Sequence, residues 1–329
     1  MKEFLVMGVD VAKATLDLCI KPGDVKMQID NNLQGFKKMH KELKKMLNPE
    51  TRVIVVMEHT GSYSVRFEKF LTRSSIGYCK VPALQIKRSM GMIRGKNDKV
   101  DATRIAEYGW LRKEQLTGDL PCNEHIERLK SLLSLRSKIV RDRSGYICRL
   151  KEIKAATDYG KSDIIIRTHQ RILTSLTTEL KLLEKQIREL VNSNDDIKKT
   201  SDLIRSIKGV GEVVAAYMIC CTNNFKRFTK ARKFNCYAGL APFKYESGTS
   251  IKGRARVSQL ANKEAKAFLT MAACCAIRCD KELKKYYQKR VSEGMKKMSC
   301  LNIIRSKIVS RIFAVAKRQT PFVDLSLAA

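Results

Sequence analysis

Apolar and polar positions change their period twice along this chain, and the changes divide it into three regions. Up to about residue 112, short apolar runs alternate with helical stripes. Residues 4–9, 15–20 and 25–29 read as three strands, the last turn carrying Pro22-Gly23-Asp24. Asn31-Asn32 offers an N-cap, and Leu33, Phe36, Met39, Leu43 and Leu47 follow at helical spacing until Asn48-Pro49 stops them. Val53–Met57 is apolar at every position, as in a strand covered on both faces. Ser62 caps a further helix to about Leu71, Gly77–Val81 is a fifth strand, and residues 83–91 and 98–112 are helical. From Asn123 to about Thr200 the strand period vanishes. Leu129, Leu132, Ile139, Tyr146, Leu150 and Ile153 form a loose helical stripe that breaks at Thr157-Asp-Tyr-Gly160. Leu173, Leu176, Leu180, Leu183, Ile187 and Leu190 then recur at alternating spacings of three and four, a heptad seam. Two long helices, antiparallel, are expected. Their seam can close within one chain or between subunits, and an exposed seam in a monomer is a liability that favours the second. The third region begins near Asp202 and reads as mostly helical, with helices at Val213–Cys221 and Gln259–Ile277. The expected boundaries are 1–115, 122–200 and 201–322.

Charge changes the picture more than hydropathy does. Against 33 Asp+Glu stand 65 Lys+Arg, a net charge of +32 over 329 residues. A surplus of that size points to a polyanionic partner, with nucleic acid the usual one. No apolar run of membrane length is present, so no membrane partner is expected. The first apolar run is short and carries Asp10, unlike a signal peptide, and eleven cysteines without a C-x-x-C pair exclude a zinc ribbon or a secreted disulfide framework. A reducing, cytoplasmic setting follows, nucleoid-associated in a prokaryote. Ile207-Lys208-Gly209-Val210-Gly211 has the form of a helix-hairpin-helix turn, in which backbone N–H groups approach a phosphate. Phe225, Phe228, Phe234 and Tyr237 are interleaved with Lys226, Arg227, Lys230, Arg232 and Lys233, the aromatics suited to a core and the cations to phosphate. From Lys281 to Arg318 twelve Lys/Arg face two acids, Glu282 and Glu293, which reads as a nucleic-acid face with steep salt dependence.

The candidate chemistry centres on four acids. Asp10 lies in the buried run Phe4-Leu-Val-Met-Gly-Val-Asp10-Val, and Glu58 ends the run Val53-Ile-Val-Val-Met-Glu58. Asp98 and Asp101, in Lys96-Asn-Asp98-Lys-Val-Asp101-Ala-Thr-Arg104, sit three apart and share one helix face. A carboxylate in a buried strand is costly to ionise without a cation. Four of them make an oxygen cage for a hard divalent ion, Mg2+ or Mn2+. Far downstream, Ser247-Gly248 stands in a loop with Ser250, Lys252, Arg254 and Arg256. A serine attacking a phosphodiester must lose its proton and needs its developing phosphorane charge stabilised, which nearby cations can do.

The order β-β-β-α-β-α-β-α of the first region is that of the ribonuclease H-like fold, in which acids on the first strand, the fourth strand and the last helix converge on metal ions. The whole set resembles the DEDD-type insertion-sequence transposases, the bridge-RNA-guided serine recombinases related to Piv-type DNA invertases. The resemblance rests on Gly8-Val-Asp10-Val-Ala-Lys13, Met57-Glu58-His-Thr-Gly61, Lys96-Asn-Asp98-Lys-Val-Asp101-Ala, Ile207-Lys-Gly-Val-Gly211, and Ala238-Gly-Leu-Ala-Pro242 followed by Ser247-Gly248. It implies an α/β plus all-α protein. A RuvC-like N-terminal domain holds Mg2+ on Asp10, Glu58, Asp98 and Asp101. Central coiled-coil helices make subunit and RNA contacts. A C-terminal transposase domain supplies Ser247 as nucleophile, with Ser250 as fallback. It further implies a structured noncoding guide RNA that pairs with target and donor DNA, and a dimer-to-tetramer assembly whose active site joins the acids of one subunit to the serine of another. Lys96, Lys208, Gly209, Gly211, Lys252, Arg254 and Arg256 are the candidate nucleic-acid contacts. The alternative is a metal-dependent, structure-specific junction endonuclease in which the serine takes no part. The sequence departs from the pattern at Asn97, where the family often has threonine, and at Ala261 and Glu264-Ala265-Lys266, where it often has a glycine and a Leu-Arg pair. Lys263 or Lys266 is then left to replace a phosphate-binding arginine.

Overall fold

The structure is a computed structural model that describes residues 4–48, 50–59, 61–89, 98–116, 118, 123–248 and 250–323. It divides into two compact units, Met1–Pro121 and Cys122–Ala329. The first unit runs β1 (Phe4–Val11), β2 (Thr15–Lys21), β3 (Val25–Asp30), α1 (Leu33–Lys45), β4 (Arg52–Glu58), α2 (Val65–Arg73), β5 (Gly77–Val81), α3 (Ala83–Ser89) and α4 (Asp98–Leu111). Its five strands form one sheet in the order β3-β2-β1-β4-β5. β1, β2 and β3 are antiparallel neighbours, while β4 and β5 run parallel to β1. That mixed sheet, with helices on both faces, is the ribonuclease H-like arrangement expected from the order of elements.

Side-chain alternation along the strands explains the two layers. Met7, Val9, Leu16, Leu18, Val55 and Met57 face α1 and α2, where Phe36, Met39, Leu43, Phe67 and Leu71 complete a core. Val6, Ile54, Val56 and Val81 face the other way, against Ile86 of α3 and Ile105 and Tyr108 of α4. Asn32 caps α1 by accepting from the Gly35 N–H at 2.9 Å. The helix expected from Ser62 begins three residues later. Gly61, at φ +73°, opens a turn through Ser64, whose hydroxyl donates to Glu68 Oε1 at 2.6 Å instead of capping the helix.

The second unit holds α5 (Glu124–Ala156), α6 (Ile164–Asn192), α7 (Asp195–Arg205), α8 (Glu212–Thr222), α9 (Ala231–Tyr237), β6 (Pro242–Ser247), β7 (Ile251–Val257), α10 (Lys263–Cys279), α11 (Lys281–Ser292) and α12 (Lys297–Arg318). The seam of α6 closes on α5 of the same chain, and Arg136 clamps Glu184 across it at 2.6 Å. Ile126, Leu129, Leu132 and Leu133 of α5 and Leu183, Ile187 and Val191 of α6 enter one core with α7 to α12.

Three expectations are corrected here. The stretch read as a loop around Ser247 is an antiparallel hairpin, β6–β7. The helix expected from Gln259 starts at Lys263, because Asn262 caps it and residues 258–262 are taken up in turns. The basic tail is two helices, and α12 buries Leu301, Ile304, Ile308, Val309, Ile312 and Val315, so it is a core element with one cationic face.

Candidate active site and nucleic-acid surface

The acid face follows from strand register. Val9 pairs with Met57 across the parallel β1–β4 ladder, so Asp10 and Glu58 stand side by side one step further on. Both share the parity of Val6, Gly8, Ile54 and Val56, which places them on the α4 side of the sheet. The helix lies hard against that side. A Cβ on Gly8 would stand 2.2 Å from the Ala106 nitrogen and 2.5 Å from the Ala102 oxygen, while one on Gly109 would meet Val6 and Val56. Moving from residue 109 back to the turn between 106 and 102 along α4 therefore moves from residue 6 to residue 8 along β1. α4 runs antiparallel to β1, and its first turn, with Asp98 and Asp101, lies at the strand ends that carry Asp10 and Glu58. Spacings agree, since about four helical residues at ~1.5 Å cover the same distance as two strand residues at ~3.3 Å.

Asp101 is half-buried and takes the Arg104 guanidinium at 2.8 Å on Oδ1. The Asp98 backbone begins the helix, while its side chain, and the whole of Lys96, lie outside the described residues. Among the described residues no three acids, histidines or cysteines close into a ready-made metal cage. The donor set nevertheless fits a hard divalent cation, being all carboxylate oxygen with a guanidinium already drawn to one member. Sequence reasoning missed a further acid here. Asp17 of β2 pairs directly with Asp10, is 6% exposed, and accepts from Gln28 Nε2 at 3.1 and 3.2 Å. Directly opposed residues share a face with Cβ atoms about 4.5–5.5 Å apart. The signal was the alternation Leu16-Asp17-Leu18-Cys19-Ile20, whose odd members lie on the α4 side, where Cys19 packs on Ala102 and Ala106.

The serine lies in the second unit. Ser247 is the last residue of β6, paired with Ile251, and the turn that follows opens with Gly248 at φ +56°, which lets the chain reverse. Ser250 is exposed in that turn. Lys252, Arg254 and Arg256 occupy alternate positions of β7, all exposed, with Glu246 opposite Lys252. Phe243, 50% exposed, and Tyr245, 70% exposed, line a groove of about 880 Å³ with Lys244, Arg254 and Arg256. The helix-hairpin-helix candidates separate. Gly209, at φ +92°, is turned into α10, where a Cβ would come within 2.7 Å of Ala276. Gly211 is exposed and opens α8 with free space around it, and Lys208 is half-buried. Of the four aromatics Phe234 is fully buried among Phe228, Tyr237 and Phe313, while Phe225, Phe228 and Tyr237 are half-buried against the same core, and Arg227 lies over Phe228 and Tyr237.

Fold and site together define a ribonuclease H-like unit with a carboxylate face at its strand ends, joined in one chain to a basic helical unit. Residues 7–153 match the DEDD transposase family of IS110 type, and residues 201–288 match the transposase IS116/IS110/IS902 family. The chain is 24% identical over 326 residues to the pilin gene-inverting protein of Moraxella bovis, covering 96% of this chain and 97% of that one. It is 22% identical over 279 residues to the transposase for insertion sequence element IS1111A of Coxiella burnetii, 75% and 71% of the two chains. Along most of its length the chain is thus similar to transposases of the IS110/IS116 type and to a gene-inverting protein. A solved Thermus thermophilus RuvC in complex with Holliday junction substrate aligns over 36% of this chain and 99% of its own at 10% identity and a TM-score of 0.27, too weak a likeness to bear on function. No helix among the described residues is long and apolar enough to cross a membrane.

Proposed function

We propose that the protein is an insertion-sequence recombinase that cuts and rejoins DNA through a covalent serine–DNA intermediate, with a divalent ion on its acid face and a structured noncoding RNA as guide. The observation that carries this reading is the convergence of Asp10, Glu58 and the first turn of α4 at one end of the sheet. Those acids, with Asp17 beside them, would hold Mg2+ or Mn2+, which supplies Lewis-acid polarisation of a phosphodiester. In the serine step, Ser247 Oγ bonds to phosphorus as the bond from phosphorus to the departing sugar oxygen breaks. The serine proton leaves, and a proton is returned to the departing oxygen. Lys252, Arg254 and Arg256 serve the phosphates of the strand, while Phe243 and Tyr245 offer faces on which bases stack. Lys96, Lys208 and Gly211 are further phosphate contacts, and Gly209 holds their turn against α10. RNA guidance fits the net charge of +32. Assembly beyond one chain fits the large apolar side chains left exposed on α5 and α6, among them Leu135, Ile164 and Leu182.

The test is a protein–DNA adduct. Protein co-expressed with the noncoding transcript flanking its element is incubated with Mg2+ and labelled DNA, then run on a denaturing gel. An adduct that persists in Ser250→Ala and disappears in Ser247→Ala and in Asp10→Asn is expected. Cleavage without any adduct would replace this reading with the junction endonuclease, in which the acids act without the serine.

A further inference from the structure

Between α9, α10 and α12 lies an open cleft of about 920 Å³ whose floor carries two cations and no counter-charge of their own. Arg305, on the core helix α12, is only 3% exposed, yet it lines this cleft. One of its guanidinium nitrogens donates to Asn302 Oδ1 at 3.3 Å, and Nε has no hydrogen-bond partner. Lys266 reaches the same cleft from α10 and spends its ammonium on the Gly239 carbonyl at 3.1 Å. Among the described residues neither makes an ion pair. The other side chains do not offset them. Arg311 is satisfied by Asp280 at 2.6 Å and by Glu282, the one acid lining the cleft. Burial, with Arg305 as neighbour, depresses the Lys266 ammonium below its usual range, and burial does the same to Arg305.

Burying a guanidinium without an anion is costly, and the cost is tolerated where an anion completes the site. We infer that Arg305 and Lys266 form a phosphate-binding site that takes a backbone phosphodiester of the nucleic acid on which the protein acts. The planar guanidinium suits two phosphate oxygens at once, and Lys266 supplies a point charge beside it. A strand suits the cleft better than free phosphate does. The cleft is open to solvent, with Met298 65% exposed and Arg232 exposed at its edge, so a chain can enter and leave. It also reaches Ala241 and Pro242, where β6, the strand that ends at Ser247, begins. The five intervening steps of strand span about 17 Å, so this phosphate is a holding point remote from the scissile one. This inference rests on the recombinase reading for its ligand.

The experiment compares the full-length protein with Arg305→Met, Lys266→Met and, as control, Lys38→Met, which alters an exposed cation on α1 in the first unit. Binding to a fluorescent DNA duplex is followed by anisotropy over a range of salt, and melting is followed with inorganic phosphate against chloride at equal ionic strength. Arg305→Met is expected to weaken binding about tenfold and to lower the slope of log K against log salt by about one. It should also lose the rise in Tm that phosphate gives the wild type. Lys266→Met should do the same in smaller measure, and Lys38→Met should leave the phosphate response intact. A folded Arg305→Met protein with wild-type slope and wild-type phosphate response overturns the site while leaving the recombinase reading untouched. Wild-type protein that binds no DNA overturns both. A structural role alone would lower Tm in both solutions and leave the slope unchanged.

Discussion

Gly8 shows how closely the acid face depends on one absent atom. Any side chain there would enter the backbone of α4 at Ala102 and Ala106, so the helix can approach β1 only over glycine. Gly8→Ala should therefore push α4 off the sheet, with a stability loss of about 3 kcal/mol or more. Chemical denaturation measures the loss, and the same variant should lose divalent-ion binding because Asp101 moves away from Asp10. A variant with normal stability and normal ion affinity would show that the close packing is not needed. The sequence showed Asp10 and Glu58 to be strand-borne acids, because each interrupts an apolar run. It did not show that Gly8 is the seat of α4, since a glycine inside a strand has several explanations. Asp17 escaped for another reason: its strand alternates an acid and a cysteine with leucines, and only the β1–β2 register puts the acid opposite Asp10.

Elements built on apolar periodicity were legible, and those built on charge were not. β1 to β5 and α1 are written in runs and stripes that bury themselves. The β6–β7 hairpin has an exposed period of Lys252, Arg254 and Arg256, with no buried face to betray a strand, so it read as a loop. In α12 the cations masked a stripe at Ile304, Ile308, Ile312 and Val315 that lies in the core. The α5–α6 pair carries a prediction of its own. Its seam is buried near Leu183, Ile187 and Val191, where α7 and α8 pack beside it, and again at Ile166 near the far end, while Leu173, Leu176 and Leu180 are half-buried between two helices alone. Leu183→Ala and Ile187→Ala should each cost about 2–4 kcal/mol. Leu176→Ala should cost about 1 kcal/mol, in proportion to the smaller area it covers. Amide exchange should accelerate from the base of the pair toward residues 157–163, and uniform protection along both helices would mean that a partner covers the far end in solution.

At the scale of the molecule, two cores with separate membership imply two melting events. Met1–Pro121 is held by the sheet and α1 to α4, and Cys122–Ala329 by the interior shared among α5 to α12. Only the first contains the carboxylate face. A divalent ion that binds there stabilises that unit by RT ln(1 + [L]/Kd), about 2.7 kcal/mol at a hundredfold excess over Kd, or roughly 10 °C in Tm for a unit of this size. Calorimetry of the whole chain should thus show one transition that rises with Mn2+ and falls back with chelator, and a second that ignores both. Asp10→Asn and Glu58→Gln should abolish the rise, since each removes an anionic ligand from a site that has nothing but oxygen to offer. Asp17→Asn should reduce it if the buried acid opposite Asp10 belongs to the ion's surroundings, and leave it whole if Gln28 is its sole purpose. Mn2+ that moved both transitions equally, or neither, would remove the acid face as an ion site. The serine hairpin, in the other unit, would then have to act without it.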